Sequence, residues 1–190
     1  MKRPFFEHGK EARPIMNSWQ VATAAEAFAA GQFARCGWDV SVQYGANQPE
    51  YDLVAVSGDR LLKVSVKGSQ DGGWGLTQSF LNKANGPGGK ANYQGATDLW
   101  LAKHSGKTVF CLVQFERVGL TDLPRMYLAK PQEIAQWLKT SAGGRGGTIL
   151  YEHHRWTVRA QAAGAVDAIP ESWVFTDFRL EEIARQIASA

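Results

Sequence analysis

Apolar positions recur with a helical period near the start of the chain. In the segment SWQVATAAEAFAAGQFARC, which begins at Ser18, alanine and larger apolar residues return every three or four positions. Asn17 or Ser18 is a suitable N-cap, and Gly37 follows the last periodic position. The pattern therefore predicts an alanine-rich helix between these residues.

Three short segments come next and predict β-strands. The segments WDVSVQY, YDLVAV and RLLKVSVK alternate or run apolar, and turn residues separate them. If the last two pair as a hairpin through the turn at 57–59, Asp52 lies close to Ser65 and Lys67 at the far end of the partner strand. These segments thus predict a meander that follows the first helix.

The rest of the chain carries further strand and helix patterns. TDLWLAK and TVFCLVQF predict two strands joined by HSGK, and RMYLA predicts another short strand. PQEIAQWLKT, which starts at Pro131, predicts a helix, and DFRLEEIARQIASA predicts a terminal amphipathic helix. Together the elements predict an α/β or α+β fold with a mixed sheet flanked by helices. We expect a core formed by residues 1–130 and a helix and strand extension at 131–190 that packs on it.

The composition excludes several classes of protein but does not identify the function. A chain of 190 residues with 44% hydrophobic content can bury a core of its own. The net charge of +3 permits an anionic partner but does not require one, and two cysteines exclude a disulfide framework. The sequence has neither an apolar run of membrane-spanning length nor a signal-peptide-like start. We therefore expect a cytoplasmic protein with no membrane partner.

A glycine-rich segment from Gly68 to Gly95 is too long for a plain hairpin loop. Long loops in compact domains are usually functional or disordered, and basic, amide and aromatic side chains are interleaved through this one. The candidates for holding a nucleic-acid backbone or stacking on bases are Gln70, Trp74, Lys83, Lys90 and Tyr93. In the alternative, Trp74 anchors the loop to the core and the lysines are solvated.

Three charged residues stand out because of their apolar surroundings. Asp52 and Lys67 end neighbouring, largely apolar strands, and buried charges are costly unless they are paired or bind a metal. Glu26 has mostly alanines as its helical neighbours, so the helix can lie close to the sheet and bring Glu26 over the strand ends. In the alternative, Asp52 is a turn residue and Lys67 a surface charge that protects a strand edge.

The stretches around these charges resemble a known superfamily, the PD-(D/E)XK nucleases, and within it the Holliday-junction-resolvase-like members. The family pattern is a helix with a glutamate, a strand of GW-V type sequence, a strand with an aspartate, and a strand ending in a carboxylate, any residue and lysine. The matching stretches are AAEAFAAGQFARCGWDVSVQYG, PEYDLVAV and LLKVSVKG, within the first half of the chain. The resemblance implies an α/β fold with a restriction-endonuclease-like core.

The same resemblance implies a metal-dependent DNA endonuclease or resolvase-like enzyme that uses Mg²⁺ or Mn²⁺. Asp52 and Glu26 would be metal ligands, the carbonyl of Val66 a further ligand, and Lys67 the catalytic cation. DNA is then the expected partner, and a homodimer is the form in which many relatives cut two strands.

One position departs from the family pattern. Ser65 stands two residues before the lysine, where the superfamily has Asp, Glu or sometimes Gln, and a neutral hydroxyl is a poorer cation ligand. Glu26 is the best compensating group, and Glu50 and Gln70 are weaker ones. Because of Ser65, a non-catalytic domain of the same fold that binds nucleic acid or a protein partner stays an alternative.

The remaining interpretations concern function outside this family. An unrelated α/β enzyme that uses Asp52 and Lys67 for proton transfer is a third possibility. Beyond Gly95 the sequence shows no chemistry of its own. We expect Trp137, Trp156 and Trp173 to be core or interface anchors rather than platforms for base stacking.

Overall fold

The computed structural model describes residues 15–43, 50–84, 86, 90–160 and 162–189. The helices of these residues are α1 (Ser18–Arg35), α2 (Gln78–Leu81), α3 (Tyr93–Leu101), α4 (Pro131–Thr140) and α5 (Asp177–Ala188). The strands are β1 (Asp39–Val42), β2 (Leu53–Ser57), β3 (Arg60–Ser69), β4 (Gly73–Gly75), β5 (Thr108–Gln114), β6 (Arg125–Ala129), β7 (Ile149–Tyr151), β8 (His153–Arg155) and β9 (Val166–Ala168). Within the described ranges, no helix combines the length and the apolar character needed to cross a membrane.

A five-stranded mixed sheet lies at the centre of the fold. Its strand order is β1-β2-β3-β5-β6, in which β3 and β5 are parallel and all other neighbours are antiparallel. Every residue of β5 is buried, as expected for an internal strand covered on both faces. The predicted meander of three strands and the predicted mixed sheet are both confirmed.

Helices cover both faces of this sheet. α1 and α5 pack on one face, and α3 and α4 cover the other. The large side chains buried on the α1 face include Phe33, Leu53, Leu62, Leu128, Leu180 and Ile183, and those on the α3 face include Trp100, Phe110, Leu112, Ile134 and Leu138. Burial of each such side chain contributes about 1.5–3 kcal/mol relative to exposure. These two clusters stabilise the layered architecture.

α1 has well-defined ends. The side chain of Asn17 accepts a hydrogen bond from the backbone N–H of Gln20, whose own side chain accepts from the N–H of Asn17, both at 2.9 Å. This reciprocal pair is a capping box, so Asn17 rather than Ser18 is the N-cap. At the other end Gly37 has a φ of 78°, a left-handed conformation that glycine adopts without steric cost.

The prediction of a strand at residues 97–103 is wrong, because most of this segment lies in α3. Ala96 and Trp100 are four residues apart and both are buried, which is helical spacing. The side chain of Asn92 caps the helix by accepting from the N–H of Gly95 at 2.8 Å. The apparent two-residue alternation was too short to outweigh the cap and the packing against α4, so HSGK joins a helix to β5.

The later part of the chain is tightly joined to the earlier part. β7 pairs with β4 from the glycine-rich segment, so that Trp74 lies opposite Leu150. Leu180 and Ile183 of α5 belong to the same hydrophobic cluster as α1. Residues after 131 therefore contribute to the packing of both sheet faces.

Candidate active site

An open cleft of about 460 Å³ lies where β2 begins and β3 ends, under the first half of α1. Its lining residues are Ser18, Val21, Ala22, Glu26, Asp52, Val66, Lys67, Gly68, Ser69, Gln70, Asp71 and Gly73. The structure thus brings together the three charged residues that the sequence singles out. They come from a helix and two strands, and only the packing of α1 on the hairpin of β2 and β3 makes them neighbours.

Asp52 is held in place by both its backbone and its side chain. Its N–H donates to the carbonyl of Val64 at 2.8 Å, and its carbonyl accepts from the N–H of Gln43 at 2.9 Å. Its Oδ2 atom accepts a hydrogen bond of 2.6 Å from the N–H of Val66. Its Oδ1 atom makes no hydrogen bond or ion pair with the residues that the structure describes. One oxygen therefore orients the carboxylate, and the other is available to a ligand.

Lys67 lies beside this carboxylate. Its Nζ atom is 3.9 Å from Oδ2 of Asp52, and its side chain is 44% exposed. Its backbone carbonyl accepts a hydrogen bond of 2.9 Å from Nε1 of Trp74, which fixes the end of β3. Ion pairs of this length with one exposed partner contribute at most about 1 kcal/mol to stability. The pair is therefore poorly explained as a stabilising contact.

Glu26 reaches the cleft because α1 lies unusually close to β3. A Cβ atom placed on Gly68 would lie 2.8 Å from Cγ1 of Val21 and 2.9 Å from Cβ of Ala25, so the contact requires glycine on the strand. Burial raises the pKa of Glu26, the charge of Asp52 raises it further, and Lys67 opposes this increase. The raised pKa indicates a carboxylate whose negative charge is incompletely compensated.

The donor atoms of this cleft fit a hard divalent cation. Mg²⁺ is held in proteins by one or two carboxylates together with waters and substrate phosphates. Glu26 and Oδ1 of Asp52 supply two carboxylate groups, and the cleft also includes Val66, whose carbonyl is the predicted third ligand. In the described part of the chain, no three side chains of His, Cys, Asp or Glu form a cluster able to hold a metal. Binding would thus depend on two carboxylates, water and substrate.

A second cavity of about 340 Å³ lies on the other side of Asp52 and Lys67. Ser65 lines this cavity and is 2% exposed, so the substituted position of the family pattern is nearly enclosed. Its other lining residues are Glu50, Gly75, Leu76, Phe80, Trp100, Lys103, His104 and Phe110. The carboxylate of Glu50, a weaker compensating group for Ser65, therefore borders the same cavity.

His104 and its neighbours in this cavity were missed by the sequence reasoning. Both ring nitrogens of His104 are buried without a hydrogen-bond partner among the described residues. Burial lowers the pKa of His104, the charges of Lys67 and Lys103 lower it further, and Glu50 opposes them. The four-residue spacing of Trp100 and His104 is the signal that could have found it, but the strand predicted at residues 97–103 conflicts with that spacing.

The loop candidates for nucleic-acid contact are dispersed. Trp74 is 2% exposed and lies in the core, which is the structural alternative that the sequence left open. Gln70 lines the cleft, but its amide donates to the carbonyl of Met16 at 2.6 Å and accepts from the Met16 N–H. Lys83 and Lys90 are exposed. The half-buried Tyr93 begins α3 under the guanidinium of Arg145.

Comparison of the chain with protein-family models, with curated proteins and with solved structures found no match. Any functional assignment therefore depends on the residues and the geometry described above.

Proposed function

We propose that the chain is a metal-dependent DNA nuclease, an endonuclease or resolvase-like enzyme that hydrolyses phosphodiester bonds. The observation that carries this proposal is the convergence of Glu26, Asp52 and Lys67 on one open cleft. These are the positions to which the resemblance to PD-(D/E)XK nucleases gives the metal ligands and the lysine. A partly exposed ion pair and a carboxylate of raised pKa are typical of a site that acts on a ligand.

The order of the first elements supports a restriction-endonuclease-like core. α1 precedes the three antiparallel strands β1, β2 and β3, as in the family pattern. The glutamate stands on the helix, the aspartate precedes the second strand directly, and the lysine lies near the end of the third. Both the identity and the placement of these residues therefore agree with the resemblance.

In the proposed mechanism, Glu26 and Oδ1 of Asp52 would hold Mg²⁺ or Mn²⁺, and the carbonyl of Val66 would be a further oxygen ligand. Such an ion lowers the pKa of a bound water and neutralises charge on phosphate oxygens. Lys67 lines the same cleft with an exposed ammonium group, so it can contact a phosphate oxygen and stabilise the negative charge that develops there. Oδ2 of Asp52 and the indole of Trp74 keep the lysine at this position.

One observation favours a second candidate function, a nuclease-fold domain that binds nucleic acid or a protein partner without cutting. Ser65 replaces the second carboxylate of the family pattern and lines the cavity beside the cleft rather than the cleft itself. A site with fewer carboxylates binds Mg²⁺ more weakly. The two candidates differ in one measurable property, since a binding domain has no need of the metal.

The test is cleavage of supercoiled plasmid, linear duplex, four-way junction and single-stranded DNA, each with Mg²⁺, Mn²⁺ or chelator. We expect metal-dependent cutting by the native protein and a loss of about 100-fold or more in Asp52→Asn, which keeps the shape of the side chain but removes the charge. Asp59→Asn is the matched control, because Asp59 is exposed in the turn at the opposite end of the same hairpin.

Two results would overturn the proposal. One is equal metal-dependent cutting by the native protein and Asp52→Asn, which would place any catalysis elsewhere. The other is a folded native protein that binds these DNAs, cuts none of them with either metal and gains no activity from Ser65→Glu. That outcome would support the binding domain instead.

A further inference from the structure

The glycine-rich turn that follows α4 has a demanding backbone conformation. Ala142, Gly143, Gly144 and Gly146 all have positive φ, with values of 53°, 67°, 94° and 87°. For Ala142 this left-handed conformation costs about 1 kcal/mol or more, so the surrounding structure must maintain it. A Cβ atom on Gly146 would also lie only 3.1 Å from Cβ of Tyr93. The turn is therefore held closely against the start of α3.

This turn presents Arg145 between two aromatic rings. The Cζ atom of Arg145 lies 5.0 Å from the ring centroid of Tyr93 and 5.4 Å from that of Trp156, distances typical of cation–π contacts. Arg145 is exposed, and its guanidinium makes no hydrogen bond or ion pair with the described part of the chain. The rings thus restrain a guanidinium whose N–H donors remain available, an arrangement suited to a phosphate group.

Asp167 holds both the turn and one of the rings. Asp167 is only 8% exposed, and its Oδ2 atom accepts a hydrogen bond of 2.6 Å from Nε1 of Trp156. The same atom accepts from the N–H of Ala142 at 3.1 Å. One buried carboxylate therefore fixes the indole ring and the strained residue that begins the turn.

An aromatic strip connects Arg145 with the cleft. We define the strip as Tyr151, His154 and Trp156; the last, which the sequence predicted to be a core or interface anchor, is only half-buried and has Arg145 over its ring. The rings of Tyr151 and His154 are stacked with centroids 4.2 Å apart, and the ring of Trp156 lies 4.6 Å from that of His154. At the other end, a Cβ atom on Gly73 would lie 3.0 Å from Cδ1 of Tyr151, and Gly73 itself lines the cleft.

The charge of this surface is suited to a polyanion. Arg159 is exposed three residues after Trp156 and has no ion-pair partner among the residues that the structure describes, whereas the exposed Arg155 lies on the other face of β8 from His154. Two carboxylates beside the strip are occupied, since Asp167 accepts the two hydrogen bonds described above and Glu152 pairs with Arg125 at 2.7 Å. The surface therefore combines the unpaired guanidinium of Arg145 with half-buried aromatic rings, as single-strand binding grooves do.

We propose that a single strand of DNA leaving the cleft runs along the aromatic strip, and that Arg145 binds one of its backbone phosphates. The inference rests on the proposed nuclease function for the identity of the ligand, but the binding of DNA along this surface does not require the cleft to be catalytic. Arg145 is a binding residue here, and Asp167 is the residue that positions it.

The experiment measures binding of the full chain to fluorescein-labelled oligodeoxythymidine of about 20 nucleotides, longer than the site sizes of single-strand binding folds. The measurement is made in EDTA so that cleavage cannot contribute. We expect Arg145→Gln to weaken binding about tenfold, the effect of losing one charged hydrogen-bond contact. The slope of log K against log salt concentration should also fall by about 0.7, the value for one phosphate contact on a single strand.

The controls separate a phosphate contact from loss of fold or of overall charge. Arg185→Gln removes another exposed arginine, on α5 at the opposite face of the sheet, and should leave affinity and salt slope nearly unchanged. Arg145→Lys keeps the charge but loses the planar stacking, so it should restore the salt slope and only part of the affinity. Unchanged thermal unfolding of each variant shows that the fold is intact.

Several outcomes would overturn this inference. Native protein that does not bind the oligonucleotide would do so, as would equal affinities for native and Arg145→Gln. A weakened Arg145→Gln with an unchanged salt slope would also contradict it, because the arginine would then act through structure rather than on phosphate. Failure of the nuclease proposal is seen separately, as absence of cutting by a native protein whose binding still depends on Arg145.

Discussion

Two clusters of charged side chains in this protein differ in how fully their hydrogen-bonding capacity is used. Arg179 on α5 has a side chain only 6% exposed, and it donates to both oxygens of Glu133 at 2.7 Å, to Glu182 at 2.8 Å and to the carbonyl of Leu128 at 3.2 Å. In the cleft, Lys67 is 44% exposed and lies 3.9 Å from its partner Asp52. Both clusters join α-helical and strand elements, but only in the first are most of the hydrogen-bond donors used.

The difference separates a structural role from a functional one. A buried guanidinium is tolerated only when its donors are paired, and four of the five N–H donors of Arg179 are used within the protein, so this cluster has little capacity left for a ligand. In the cleft, Oδ1 of Asp52 and the ammonium of Lys67 retain capacity, and the pKa of Glu26 is raised by burial and by Asp52. Charged groups with unused hydrogen-bonding capacity in an open cleft are thus the property that distinguishes the candidate site.

The largest expected effect is on activity. Lys67→Ala should reduce metal-dependent cleavage by about 100-fold or more, because it removes the cation that stabilises charge on the phosphate. Its free energy of unfolding should change by less than about 1 kcal/mol, since the pair with Asp52 is long and partly exposed. Plasmid cleavage and urea unfolding measure the two quantities.

The control for this prediction is Lys107→Ala, which removes an exposed lysine at the opposite end of the β3–β5 pair. It should change neither quantity. A Lys67→Ala protein that cuts normally but unfolds more easily would reverse the comparison and make the cleft the structural cluster.

The arginine cluster should respond in the opposite way. Arg179→Ala is expected to lower the free energy of unfolding by about 2–3 kcal/mol, below the full cost of breaking a buried pair because Glu133 and Glu182 are partly exposed and can be hydrated. Chemical denaturation gives this value. Arg185→Ala on the exposed side of the same helix should cost less than about 0.5 kcal/mol, and equal losses in the two variants would refute the structural role.

A third test concerns the close contact that brings Glu26 to the cleft. Gly68→Ala should cost about 1–3 kcal/mol, because the new Cβ would lie 2.8 Å from the backbone oxygen of Val21 and α1 must shift. Cleavage should fall as well, since Glu26 moves with the helix. Gly31→Ala is the matched control: Gly31 lies in α1 with open space around it, so alanine should stabilise by about 0.5–1 kcal/mol. A Gly68→Ala protein with native stability and activity would argue against the tight contact.

The smallest expected effect is a pH dependence at Glu152. Burial alone would raise the pKa of Glu152, but hydrogen bonds from Arg125 and Tyr127 outweigh it and lower the pKa below the usual 4.5. A carboxyl with a lowered pKa in the folded state stabilises the protein above its unfolded pKa, and that contribution is lost as the pH falls through the folded pKa. The free energies of unfolding of the native protein and of Glu152→Gln should therefore differ more at pH 7 than below about pH 4.

The expected difference is no more than about 1 kcal/mol, because the side chain of the partner Arg125 is 42% exposed. A difference that grows as the pH falls would show that the sign is wrong. The result also sharpens the comparison between structural and functional carboxylates. Glu152 accepts three side-chain hydrogen bonds that lower its pKa, whereas the pKa of Glu26 is raised.

Local pattern was sufficient for several parts of this structure. The α1 helix follows from its apolar spacing and the cap at Asn17, and the hairpin register that places Asp52 beside Val66 and Lys67 follows from the turn at 57–59. Both depend on contacts between residues close in sequence. The alanine spacing also puts Glu26 next to the buried stripe of α1, but its position over the strand ends depends on the long-range packing of α1 on β3.

Other features were decided only by tertiary packing. Residues 97–101 form a helix because α3 buries Ala96 and Trp100, and Trp74 is a core residue because β4 pairs with β7. Arg145 lies between Tyr93 and Trp156, two rings that are 63 positions apart in the chain. Local periodicity carries no information on such contacts, because they depend on which buried surfaces of distant segments meet.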